Sequence, residues 1–170
     1  MSGITTFRVL IILALCLSPF AAQAAIINLY ADIDGTQEVS ATASLGTGTA
    51  TISFDDVTNL LDWDISFSGL TGSATAAHFH GPAASASNAG VQVDIGAESG
   101  LGSPMLGSTT ITGAQATDLL AGLWYINIHT ETYPGGEIRG QVQVVPLPAA
   151  VWLLVSGFVG LLGWRRARRT

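Results

Sequence analysis

The stretch Leu61-Asp62-Trp63-Asp64-Ile65-Ser66-Phe67-Ser68 alternates apolar and polar residues without a break. A period of two belongs to an extended strand, whose successive side chains point to opposite faces. It places Leu61, Trp63, Ile65 and Phe67 on a face to be buried, with Asp62 and Asp64 on a face turned to water. A helix would scatter the same residues around its circumference. Residues 49–54 repeat the alternation with Ala50, Ile52 and Phe54 inward, and residues 26–33, 91–95, 108–112, 123–130 and 137–144 also read as strands. Turn signals separate them, among them Asp34-Gly35, Asp55-Asp56, Gly81-Pro82 and Pro134-Gly135-Gly136. Thr112 with Gln115 three residues on makes a capping box, Leu119-Leu120 supplies an apolar face, and Gly122 can end the helix so begun. The expected fold is all-β: an antiparallel β-sandwich or flattened barrel of about seven to eight strands, with one short helix. Residues 82–88, rich in Ala and Ser, are expected as an exposed loop.

The two ends follow other rules. Residues 1–24 hold one basic residue, Arg8, then an apolar run over 9–17, then Ser18-Pro19 and Ala22-Gln23-Ala24. That order is a secretory signal peptide cut after Ala24, with Ala22 and Ala24 as the small residues of the cleavage site. The apolar run is too short for a settled membrane span. Cys16 follows the bulky Leu15, where lipoprotein processing needs a small residue, so that route is rejected. Cys16 is also the only cysteine, so the mature domain, residues 25–145, must hold together without a disulfide. About 120 residues suffice for one core of that kind. Residues 144–164 carry no charge and are long enough to cross a bilayer as a helix. Arg165, Arg166, Arg168 and Arg169 follow, a cluster that stays on the cytoplasmic side. Residues 146–170 are therefore expected as a separate terminal signal with a transmembrane helix.

On Val145-Pro146-Leu147-Pro148-Ala149, the uncharged run and the arginine end, this tail resembles the PEP-CTERM class of sorting signals in its VPLPA variant. The resemblance implies an exosortase-type processing enzyme as partner and a Gram-negative bacterium as source. It further implies an intermediate anchored in the inner membrane and a destination at the cell surface or in the extracellular matrix.

Charge narrows the function classes. All twelve acidic residues fall between Asp32 and Glu137, against Arg139 as the one basic residue there, so the domain carries a formal −11. Such a surface repels nucleic acid and attracts cations, which excludes a nucleic-acid partner.

Three histidines occur in the whole chain, and two of them stand in Ala76-Ala77-His78-Phe79-His80-Gly81-Pro82. At strand period His78 and His80 project to one side, with their Cα atoms roughly 7 Å apart. His129 ends the strand Tyr125-Ile126-Asn127-Ile128-His129, on the face of Asn127 and Tyr125. If the two strand ends are neighbours, three imidazoles can meet and hold copper(II) or zinc. The other reading is of solvent-facing or hydrogen-bonded polar residues that stabilise the loop ends, and spacing alone leaves both open. Asp62 and Asp64 read as solvation of a wet strand, not as a catalytic pair. Asp32-Ile33-Asp34-Gly35 reads as a strand running into a turn, since the later ligands of a calcium loop are missing. Glu137 and Arg139 project together from the last strand, as a structural ion pair or a binding pair. No nucleophile stands at a recognisable spacing from a base, and no glycine-rich phosphate loop is present, so nothing in the residues asks for an enzyme.

Several short signatures stand in order: Gly35-Thr36-Gln37-Glu38-Val39, Gly69-Leu70-Thr71-Gly72, the His78–His80 motif, Asp118-Leu119-Leu120-Ala121-Gly122, and the stretch from Tyr125 through Tyr133-Pro134-Gly135-Gly136-Glu137-Ile138-Arg139-Gly140-Gln141. Together, over roughly residues 27–144, they resemble the CHRD domain, the module named for chordin and present in many exported bacterial proteins. Ser40-Ala41 replace the two prolines that often follow Glu-Val in that pattern. The resemblance implies a β-rich extracellular module and places all three histidines inside its signatures. A His-x-His strand is also similar to part of the ligand set of copper-zinc superoxide dismutase, but three histidines without a disulfide cannot build that full site. The functional expectation is an exported surface or matrix module that acts by binding an extracellular ligand. The alternative is a metalloprotein with His78, His80 and His129 as copper or zinc ligands and a redox role.

Overall fold

The computed structural model describes residues 25–146. The expected signal peptide with Ala22 and Ala24, and the expected sorting tail with Pro148, Arg165, Arg166, Arg168 and Arg169, lie outside the described residues. Among the described residues no helix is long and apolar enough to cross a membrane.

The chain forms strands β1 (Ile26–Asp34), β2 (Thr47–Asp55), β3 (Leu60–Ser68), β4 (Ala74–His80), β5 (Val91–Asp94), β6 (Met105–Thr110), β7 (Tyr125–Thr130), β8 (Ile138–Gln141) and β9 (Gln143–Val144). Helix α1 (Ile95–Ser99) follows β5, and α2 (Gly113–Leu120) lies between β6 and β7. All pairings are antiparallel, in the order β5-β4-β7-β8-β1-β2-β3-β6, with the two-residue β9 added onto β1. The alternating stretches pair in register, Ile52 opposite Trp63 and Ala50 opposite Ile65, so their apolar faces coincide. Leu61, Trp63 and Ile65 are buried as the alternation requires, whereas Phe67, near the end of β3, is only half-buried.

β3 and β4 stand near opposite ends of the strand order, yet the Trp63 and Phe79 rings meet edge-on with centroids 5.5 Å apart. The sheet is therefore rolled into a half-barrel around one core, to which Phe79 and Trp124 add a second aromatic contact. Each large side chain removed from water there contributes on the order of 2 kcal/mol. The roll does not close by strand pairing between its end strands, β5 and β6. Instead α1, which connects them, lies over the seam, and Trp63 Nε1 donates to Ser99 Oγ at 2.8 Å.

Two local features differ from the sequence expectation. The segment read as strand 91–95 stops at Asp94, whose carboxylate accepts from Ala97 N and starts α1. The final strand, read as 137–144, is broken at Val142, whose N–H turns to the carbonyl of Trp124. Beyond that break Val144 pairs with Leu29. The capping box forms as expected, with Gln115 N donating to Thr112 Oγ1 and the Gln115 side chain accepting from Thr112 N. Asp34 likewise caps a 3-10 turn at Gly35–Gln37, in keeping with a strand that runs into a turn.

Candidate metal centre

β4 and β7 are direct neighbours, with His78 opposite Asn127, His80 opposite Tyr125 and His129 opposite Ala76. Their odd-numbered and even-numbered faces therefore sort together: Phe79, Ile126 and Ile128 enter the core, while His78, His80, Tyr125, Asn127 and His129 point outward. The outward face is not wet. Residues 81–90 and 131–137 fold over it, leaving Tyr125, Asn127 and Arg139 buried and the three histidines half-buried. Alternation alone gave that face to solvent; the loops that cover it have no period to announce them.

The three imidazoles converge. One ring nitrogen from each of His78, His80 and His129 lies within 4.8 Å of the other two. His129 Nδ1 is 3.1 Å from the carbonyl of Pro134, and His80 Nδ1 is 3.0 Å from the carbonyl of Ala89. A carbonyl only accepts, so each Nδ1 carries the proton and each Nε2 keeps its lone pair. His129 Nε2 receives the proton of His78 Nδ1 across 3.2 Å. His80 Nε2 is buried with no hydrogen-bond partner among the described residues. Burial holds the His80 and His129 imidazoles below their ordinary pKa, which outweighs the opposing effect of their carbonyl partners and keeps both rings neutral near pH 7.

The surroundings fix these positions. The Tyr125 ring stacks on His80 with centroids 5.0 Å apart and planes 7° from parallel. Its hydroxyl accepts from Ala89 N at 3.1 Å and donates to Ala89 O at 3.4 Å, holding the residue whose carbonyl orients His80. From β8, on the other side of β7, the Arg139 guanidinium lies 3.5 Å from the Tyr125 ring centre, a cation–π contact. Arg139 also donates to the carbonyl of Ser87 at 3.0 Å and to Asn88 Oδ1 at 3.3 Å, so it pins the loop that covers His80.

Glu137 and Arg139, expected to project together, are not brought together. No hydrogen bond or ion pair joins them among the described residues. Glu137 takes Ser44 Oγ at 2.5 Å and Thr130 Oγ1 at 2.5 Å, with Thr71 N and Thr71 Oγ1 both at 2.7 Å. Burial raises its pKa, but the hydrogen bonds from Ser44, Thr130 and Thr71 outweigh burial and hold the carboxyl below its ordinary value. The carboxylate in the field of Arg139 is that of Glu38, which burial raises and Arg139 partly restores. The physical reason is position: Glu137 precedes β8 and lies in a turn, so strand alternation does not govern it. Asp62 and Asp64 are exposed on the wet face of β3, apart from the histidines. Pro146 is exposed at the end of the described chain.

Tyr125 was legible as a face-mate of His129. The carbonyls of Ala89 and Pro134 were not, because backbone acceptors in loops leave no mark in side-chain pattern. A cleft of about 500 Å³ opens beside the site, between Glu38–Ala43 and Thr132–Gly136, and Pro134 both lines it and holds His129.

No match is found among curated proteins or among solved structures. The family model of the CHRD domain matches residues 29–142, a span that runs from within β1 past the end of β8 and holds all three histidines.

Proposed function

Since the chain belongs to the CHRD domain family, we propose that it is an exported module that acts by binding at the cell surface or in the extracellular matrix. The family match over nearly the whole described domain is the observation that carries this reading, because the module is of a binding type. Leader and tail support the rest. The order basic residue, apolar run, Ala22-Gln23-Ala24 fits export, and Val145-Pro146-Leu147-Pro148-Ala149 with its arginine end fits an exosortase-type signal that holds an intermediate in the inner membrane before release. The acidic domain, at −11, suits contact with cations or a basic partner.

Fractionation of cells that make the full chain tests the route. Mass spectrometry of the recovered product is expected to begin at Ala25 and to lack the arginine cluster. Replacing Pro146 and Pro148 together by alanine is expected to leave the chain in the membrane fraction; release and processing at the unaltered rate would defeat the sorting proposal.

A metalloprotein is the second reading, and the observation that bears on it is the convergence of the three histidine rings. It concerns what the module binds and does not require turnover.

A further inference from the structure

We propose that His78 Nδ1, His80 Nε2 and His129 Nε2 form a preorganised site for one divalent late transition-metal ion, copper(II) or zinc(II). The inference rests on the reading of the chain as a binding module and names one ligand of it.

The orphaned nitrogen points to an ion. A cluster that served only to hydrogen-bond loop ends would pair its buried nitrogens, since a buried polar atom without a partner costs about 1–3 kcal/mol. His129 is so paired; His80 Nε2 is not. An ion supplies the partner that this lone pair lacks.

The groups around the imidazoles suit a metal as well. Metal-bound imidazoles donate their remaining N–H to a carbonyl or carboxylate, which fixes the tautomer and aims the ligating nitrogen. His80 and His129 already donate through Nδ1 to the carbonyls of Ala89 and Pro134, and Tyr125 anchors Ala89 in turn. Both Nε2 atoms are thus left without a proton before any ion arrives, on rings whose centroids stand 6.1 Å apart. Binding needs one proton to change place: His78 moves its proton from Nδ1 to Nε2, and the bond it gave to His129 is replaced by two bonds to the ion.

Distance permits this. Metal–nitrogen bonds of about 2.0–2.1 Å set tetrahedral ligand nitrogens roughly 3.3 Å apart. His78 Nδ1 and His129 Nε2 stand at 3.2 Å, and one ring nitrogen of each of the three residues lies within 4.8 Å of the other two, a span that small side-chain rotations close. The donor set selects the metal class. Three neutral nitrogens without carboxylate or thiolate suit copper(II) and zinc(II), whereas calcium and magnesium take oxygen ligands. The three histidines are half-buried, so the centre is not sealed inside the core.

The test uses the full chain, purified in detergent, stripped with a chelator and titrated separately with copper(II) and with zinc(II). One equivalent of either metal is expected to bind, and the two titrations decide which. His80→Ala and His129→Ala are each expected to weaken binding at least 100-fold. Tyr125→Phe, which keeps the stacked ring but loses the bond to Ala89, should weaken it about tenfold. X-ray absorption on the unaltered protein covers the case of a variant that fails to fold: it is expected to count three imidazole nitrogens at about 2.0 Å. No stoichiometric binding of either metal, or an oxygen-dominated shell from surface carboxylates, overturns the proposal. Either negative result leaves export and sorting untouched, because cell fractionation reads those separately.

Discussion

Glu137 shows how much one residue can hold. Fully buried, it accepts four hydrogen bonds from three segments: Ser44 ahead of β2, Thr71 in the β3–β4 turn and Thr130 at the end of β7. Glu137→Gln places an NH₂ among donors and is expected to cost about 2–3 kcal/mol at pH 7, read as a lower urea midpoint. The sign of its pH dependence follows from the lowered folded-state pKa. The unfolded chain takes up the proton first, so stability is fully present above the unfolded value of about 4.5 and is lost as pH falls through the folded value. The gap in urea midpoint between the unaltered protein and the Gln variant is therefore expected to shrink from pH 6 to pH 3; a constant gap would contradict an ionised Glu137. This residue also marks a limit of reading by pattern. The lone arginine of the domain invited pairing with the nearest carboxylate, but hydroxyl and amide donors from three distant segments claimed that carboxylate first.

At the level of elements, the strands were the most legible part, because Leu61, Trp63 and Ile65 announce by alternation what the sheet then buries. The helix α2 was legible for a different reason, the reciprocal Thr112–Gln115 cap, whose partners stand three residues apart and need no tertiary knowledge. Helix α1 was not legible: five residues are too few to show a helical period, and the apolar Ile95 read equally well as the end of a strand. The two helices differ in what they secure. Thr112→Ala removes a cap and is expected to cost about 1 kcal/mol. Gly107→Ala strikes the seam, since a Cβ there would come within 2.7 Å of the Trp63 ring and 2.5 Å of Ser99 Oγ. Forcing those groups apart is expected to cost about 1–3 kcal/mol and to redden the Trp63 fluorescence as its ring gains water. Thermal melts with fluorescence detection separate the two outcomes. The histidine centre belongs to this scale too. His78, His80 and His129 could be put on strand ends from sequence, but that β4 lies beside β7 follows from a pairing across 51 residues of chain, which no local pattern encodes.

The molecule as a whole is two four-stranded halves. One contains β1, β2, β3 and β6, the other β5, β4, β7 and β8, and the β1–β8 pairing at Asp34 and Arg139 is the hydrogen-bonded joint between them. The chain crosses from half to half four times, through the β3–β4, β5–β6 and β6–β7 connections and from β8 to the two-residue β9 on β1, so neither half is complete until late in the sequence. Truncation after Gly136 removes β8 and β9, with Glu137 and Arg139, and is expected to yield a chain without a cooperative melt; a sharp transition in that fragment would show that one half folds alone. The joint therefore sets a clock. A ribosome or a membrane channel delivers the chain from its N-terminus, and Arg139 is among the last residues of the domain to emerge. Until then the chain is a set of unjoined strands. Folding can be completed only once nearly the whole domain has been delivered, so the order of strands itself delays the native state until the last strands emerge.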